Sequence, residues 1–125
     1  MCSANRNLVA AWIRYQHIYG SKTEEVDELE WAMIELWDLC REAPESAWSA
    51  ILEIISKDHS DQILSDVAAG PMEDLLAYHG ALVIDRVESC ARSNPSFERM
   101  LGNVWKNAIS DDVWNRVKAI APSSW

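Results

Sequence analysis

Two stretches of this chain, offset by about 50 residues, carry nearly the same order of helix signals and apolar positions. The offset superimposes Cys40 on Cys90 and Ser60 on Ser110, and it nearly superimposes Pro44 and Pro71 on Pro95 and Pro122. A repeat of this length built from helical segments predicts stacked helical units, which usually present a binding surface rather than perform a reaction.

Apolar residues recur at spacings of three and four along most of the chain, which predicts about eight helices and no strand. The first helix spans about 8–19 and ends at Gly20, and the second spans about 24–42. Pro44 begins the third helix and Ser60 caps the fourth. A short fifth helix lies between Gly70-Pro71 and Gly80.

Three further helices repeat the second, third and fourth. The sixth carries Cys90, the seventh runs from Asn94-Pro95 through Trp105, and the eighth is capped by Ser110 and stopped by Pro122. We therefore expect an all-α fold in one domain, 1–125, in which two similar three-helix units, about 24–71 and 81–122, form a compact HEAT-like array or bundle.

Length and charge limit the possible partners. The 125 residues carry a formal net charge of −9, which repels phosphate backbones and acidic lipids. We expect no direct nucleic-acid partner and no membrane partner, whereas a basic protein would be attracted. The alternative is that the charge serves only solubility. No apolar run approaches the roughly 18 residues of a membrane helix, and no signal peptide is evident, so a cytoplasmic protein is expected.

No motif indicates catalysis, a cofactor or a metal. The widely spaced Cys2, Cys40 and Cys90 do not form a disulfide framework or a metal site, and the latter two are expected to be reduced core residues. The adjacent residues Asp58-His59-Ser60 cannot form a catalytic triad, because its members must converge through space. We expect no catalytic, cofactor-binding or metal-binding residue, and no enzyme activity.

The 70–80 segment contains three residues that could carry chemistry. His79 is expected to bond the last carbonyls of its own helix, and Glu73 and Asp74 suit the positive end of a helix dipole. A weaker alternative brings these three together with Asp111 and Asp112 in a site.

Seven tryptophans are the most unusual feature of the composition. Five lie on or beside predicted buried stripes and are expected in the core: Trp12, Trp37, Trp48, Trp105 and Trp114. Trp125 is expected in a loose or folded-back tail. Trp31 lies on the polar side of the second helix, and the candidate partner-binding residues are Glu24, Asp27, Glu28, Trp31, Glu35, Asp38 and Glu42. The alternative is that the first helix or the tail covers Trp31.

The segment Ala-Ala-Gly-Pro-Met-Glu-Asp-Leu-Leu at 68–76, together with Trp12-Ile13, Val104-Trp105-Lys106-Asn107 and Ser-Asp-Asp-Val-Trp at 110–114, resembles a bacterial family known only as a domain of unknown function. The resemblance covers about 8–117. It implies a bacterial, cytoplasmic, helical protein and assigns no catalytic residue. The chain also resembles HEAT-type scaffolds at the level of the fold.

These observations favour an acidic protein-binding module that masks a partner, most concretely a bacterial immunity protein or antitoxin, acting as a monomer or homodimer. A second hypothesis is a small enzyme or ligand-binding protein with a cleft near residues 70–80. A third, a mimic of nucleic acid, would need exposed carboxylates at phosphate-like spacing.

Overall fold

A computed structural model describes the backbone of residues 2–123 and the side chains of residues 8–123. Over this range the chain is all-α and compact, as predicted, with no strand. The helices are α1 (Cys2–Ile18), α2 (Glu24–Glu42), α3 (Pro44–Lys57), α4 (Asp61–Val67), a π-helical turn (Ala68–Met72), α5 (Glu73–Ser93), α6 (Pro95–Leu101) and α7 (Asp111–Ile120). Trp125 lies outside the described residues.

The predicted number of about eight helices is slightly too high, because α4, the π-turn and α5 follow one another over 61–93 without an intervening loop. The described chain therefore has six continuous helical segments. Gly70-Pro71 does not end a helix. Proline lacks the N–H that an α-helix would use, and the π-turn accommodates it with a wider ring of hydrogen bonds.

The predicted helix end at Gly80 coincides with a kink, because the backbone leaves helical geometry at His79, with φ −136° and ψ 28°, and two helices meet there within α5. A Cβ atom at position 80 would lie 2.9 Å from a methyl group of Val113. The glycine is therefore required by the close packing of α5 on α7, and its hydrogen side chain permits that contact.

Helix α6 is shorter than predicted, since it ends at Leu101 and a loop spans 102–110. Glu73 holds this loop by accepting hydrogen bonds from the backbone N–H of Trp105, at 3.3 Å, and from the side-chain amide of Asn107. The indole of Trp105 consequently projects outward and is 70% exposed, so its predicted core position is wrong.

The two predicted units share their cap chemistry. Ser60 and Ser110 each accept a hydrogen bond from the backbone N–H three residues later, at 3.3 and 3.4 Å. Pro44 and Pro95 each begin a helix. The units differ in their middle helix, because α6 has 7 residues where α3 has 14. The local signals of the repeat are thus present in both halves, while the lengths have diverged.

Buried side chains from every helix form one hydrophobic cluster. Trp12 and Cys40 lie within it, as predicted. The outcome for the other predicted core residues is mixed. Trp48, Trp114 and Cys90 are half-buried, and Trp48 packs edge-on against Phe97 with 5.6 Å between ring centroids. Trp37 is 52% exposed, so its core assignment is wrong. It lies at the edge of the α2 stripe, where the neighbouring helices leave a groove.

Replacing Gly80 by alanine is expected to destabilise the fold although alanine is the better helix former. The new methyl group would overlap with Val113, a β-branched side chain with little rotational freedom. The expected loss is roughly 1–3 kcal/mol in the free energy of unfolding, measured by urea denaturation.

Gly70→Ala is the matched control, because a Cβ there meets no atom within 4 Å. This variant should be neutral or slightly stabilising. The double variant Gly80→Ala/Val113→Ala should be more stable than the two separate losses predict. Additive losses would contradict the packing explanation.

Candidate functional site, an aromatic and acidic groove beside helix α2

A groove with a volume of about 840 Å³ lies between α1, α2 and the π-turn. Four aromatic residues line it: Trp12 and Tyr15 of α1, Tyr19 just after α1, and Trp37 of α2. The ring centroids of Tyr15 and Tyr19 are 5.7 Å apart. Trp12 and Tyr15 are buried, whereas Tyr19 and Trp37 are exposed. The backbone of Gly70 lines the groove without a side chain. The groove therefore offers flat apolar surfaces to a bound group.

Three carboxylates, those of Glu30, Asp66 and Asp74, also line the groove. Asp66 and Asp74 are eight residues apart, which on a regular α-helix would separate their directions by about 80°. The intervening π-turn takes up an additional residue, so both side chains face the same groove. π-turns of this kind are frequent at functional sites.

Burial raises the pKa of both aspartates. For Asp66, desolvation is the main cause and His17 opposes it. For Asp74, desolvation comes first, the neighbouring Glu73 adds to it, and the positive charge of Arg41 opposes it. Neither aspartate forms a hydrogen bond or ion pair with a described side chain, so the ionised forms are incompletely compensated.

Cys40 of α2 is buried beside the π-turn and is unreactive. Its thiol donates a hydrogen bond to the carbonyl oxygen of Pro71 at 3.3 Å. Burial, and secondarily the charge of Asp74, raise the pKa of the thiol to about 12. Cys40 is therefore a protonated structural residue that connects α2 to the π-turn, and it is unsuited to act as a nucleophile.

The predicted partner-binding residues form a continuous acidic face on the outer side of α2, within about 100° of the helix circumference. All seven are exposed, and Trp31 has 43% of its surface accessible. None of the six carboxylates forms an ion pair with a described side chain. The members of this acidic face are Glu24, Asp27, Glu28, Trp31, Glu35, Asp38 and Glu42.

Five of the ten arginine and lysine side chains that the structure describes form ion pairs elsewhere. The ion pairs are Arg14 with Glu25, Arg86 with Glu45, Arg99 with Asp61, Lys106 with Asp111, and Arg116 with Asp85 and Glu88. Each of these cations neutralises an acid outside the acidic face. The carboxylates of the face therefore keep their negative charge, whereas the charges of His17 and Arg41 act on the two aspartates of the groove without pairing with them.

The candidate residues of the 70–80 segment do not come together in one site. His79 does not bond the carbonyls of its own helix. It donates to the carbonyl oxygen of Arg41 at 2.6 Å and so satisfies the last turn of α2, because the bend in α5 directs it there. Asp74 reaches the groove, whereas Glu73 holds the 102–110 loop. Asp111 is paired with Lys106 and does not line the groove.

Several groove residues were not identified from the sequence. In the sequence, Tyr15 and Tyr19 are only two members of the apolar stripe of the first predicted helix. Nothing in the sequence distinguishes Asp66 or Glu30 from other surface acids. The one available signal was Gly70-Pro71 within a helical pattern, which marks either a break or a π-turn.

The described residues contain no group of three or more His, Cys, Asp or Glu side chains placed to hold a metal ion. None of the described helices has both the length and the apolar character needed to cross a bilayer.

Residues 20–124 match a family described as a family of unknown function, DUF6869. The chain belongs to this family. The match confirms the resemblance to a family without an assigned activity. The DUF6869 region includes all of α2 and the π-turn, whereas Trp12, Tyr15 and Tyr19, which line the groove, precede it. Searches of curated proteins and of solved structures found no match.

Asp74→Asn is expected to stabilise the protein at neutral pH. A raised pKa means that the folded protein binds this proton more tightly than the unfolded chain, so the ionised carboxylate weakens folding above its pKa. We expect a gain of a few tenths of a kcal/mol at pH 7 in the free energy of unfolding, because the group is partly solvated. The gain should vanish as the pH falls below the ordinary aspartate value of 3.8.

Asp38→Asn removes the same charge from an exposed position and controls for the lower net charge. Urea denaturation of both variants from pH 3 to pH 8 would check the prediction. Equal stability of the two variants at pH 7 would show that burial of Asp74 has no energetic consequence.

Proposed function

We propose that the protein is a protein-binding module that recognises a basic partner through the acidic face of α2. The observation that carries the proposal is the set of six exposed carboxylates around Trp31 that lack a described ion-pair partner. Exposed aromatic residues contribute strongly to binding when a partner desolvates them, and surrounding charges steer association and select the partner.

In its most specific form, the proposal is an immunity-type or antitoxin-type inhibitor that acts in the bacterial cytoplasm by masking a basic protein. The net charge of −9 supports this form, since it favours a cationic partner over nucleic acid or an acidic membrane. We propose binding without catalysis, by a monomer or a homodimer.

A second candidate is a small ligand-binding protein or enzyme, which the groove beside Gly70 and Asp74 favours. Its volume of about 840 Å³ lies within the range of small-molecule sites. Stabilisation of the isolated protein by a small organic cation, without any partner, would support this candidate.

Trp31→Ala should weaken partner binding by about tenfold or more if the indole is buried in the complex. The fold should be unaffected, because Trp31 is 43% exposed and outside the core cluster. The partner is first captured from native lysate at low salt, purified, and then titrated calorimetrically against each variant. Trp105→Ala, which removes another exposed indole, is the control and should bind normally.

The electrostatic part of the proposal is tested with two charge-matched double variants. Glu35→Gln/Asp38→Asn lowers the charge of the acidic face, whereas Glu98→Gln/Asp112→Asn removes one Glu and one Asp from other exposed positions. Only the first should slow association and reduce the salt dependence of the affinity. Equal effects of the two variants, together with normal binding by Trp31→Ala, would reject the assignment of the interface.

A further inference from the structure

We propose that the groove between α1, α2 and the π-turn is a docking site for an arginine side chain of the partner protein, a conclusion that rests on the proposed function. It assigns a second site, distinct from the acidic face, in which the partner inserts one cationic group. The inference depends on four features of the groove: its charge, its aromatic walls, its floor and its position.

The charge of the groove is only partly compensated within the described chain, because His17 acts on Asp66 and Arg41 on Asp74 without forming an ion pair with either. Asp66 and Asp74 are half-buried, and neither forms an ion pair with a described side chain. Arg41 is the cation whose charge acts on Asp74, but its guanidinium lies over the ring of Tyr78, 5.6 Å from the centroid. An external cation between the two aspartates would restore the interactions that they lose by burial.

The aromatic walls favour a guanidinium over an ammonium group. Guanidinium is planar, stacks on aromatic faces and forms two parallel hydrogen bonds with a carboxylate, whereas ammonium is a compact and strongly hydrated charge. Trp37, which is 52% exposed, and Tyr19, which is 70% exposed, both line the groove. Such a site can hold the flat cation by stacking and by its hydrogen bonds to the aspartates.

The floor of the groove leaves room for a long side chain. Gly70 lines the groove, and a Cβ atom built there meets no atom within 4 Å. The groove volume of about 840 Å³ exceeds what a free guanidinium needs and can hold an arginine side chain with part of its backbone.

The position of the groove identifies the source of the cation. Helix α2 supplies Glu30 and Trp37 to the groove and, immediately after Glu30, Trp31 to the acidic face. The acidic face and the groove therefore lie on neighbouring sides of α2. A basic protein seated on the acidic face would have this groove at the edge of its contact area, within reach of a long side chain.

The proposal is tested on the full chain with fluorescently labelled hexa-arginine and hexa-lysine peptides, using anisotropy at low salt. Hexa-arginine should bind at least about tenfold more tightly than hexa-lysine, because only guanidinium both stacks and forms paired hydrogen bonds. Gly70→Leu, which fills the groove, and Asp66→Asn/Asp74→Asn, which removes its charge, should each weaken hexa-arginine binding by about tenfold.

Two controls separate the groove from general charge effects. Glu98→Gln/Asp112→Asn removes two charges elsewhere and should change the affinity less than about twofold. Circular dichroism and thermal unfolding establish that Gly70→Leu is folded, and the aspartate variant provides an independent test if it is not. Arginine amide, added as a competitor, should displace the peptide only at much higher concentrations.

Three results would overturn the inference: unchanged affinity in both groove variants, equal affinity for hexa-lysine, or binding of arginine amide as tight as that of the peptide. The last would indicate a site for a small organic cation. None of these results tests the proposed function itself. That function is tested separately by the Trp31→Ala and Glu35→Gln/Asp38→Asn measurements, because those substitutions lie outside the groove.

Discussion

A proline inside a continuous helix is the constraint on which the site depends. Pro71 cannot donate the backbone hydrogen bond that an α-helix requires, and the chain responds with a π-turn rather than a break. Cys40 donates its thiol proton to the Pro71 carbonyl and ties this turn to α2. Because the turn changes the helical register, Asp66 and Asp74 come to line one groove. The same irregularity thus shapes the backbone and sets the electrostatics of the site.

The negative charge of the surface is concentrated where carboxylates lack an ion-pair partner among the described side chains. Arginines on α1, α5, α6 and α7 form ion pairs with acids of other elements, and these pairs lie on the surface between helices. Such exposed pairs contribute little to stability individually, but they engage cations away from the outer side of α2. The carboxylates on the outer side of α2 keep their negative charge. The binding surface that we propose would use the core for stability and the exposed helix for recognition.

Sequence reasoning succeeded where a signal acts within a few residues and failed where the outcome depends on distant packing. The caps at Ser60 and Ser110 and the helix starts at Pro44 and Pro95 were correct, since capping is local chemistry. Trp37 and Trp105 were wrongly placed in the core. Periodicity shows that a residue lies near an apolar stripe, but only the neighbouring helices determine whether anything covers that position.

The sequence by itself determined the all-α class, most helix boundaries, the acidic face of α2 and membership of a family without an assigned activity. Those properties depend on residue spacing and composition, which are present in the linear chain. Tertiary structure alone decided that a π-turn joins α4 to α5 without a loop, that Gly80 packs closely against Val113, and that aromatic residues in and just after α1 line one groove with two aspartates. These features arise from contacts between residues far apart in the chain, whose geometry no local pattern encodes.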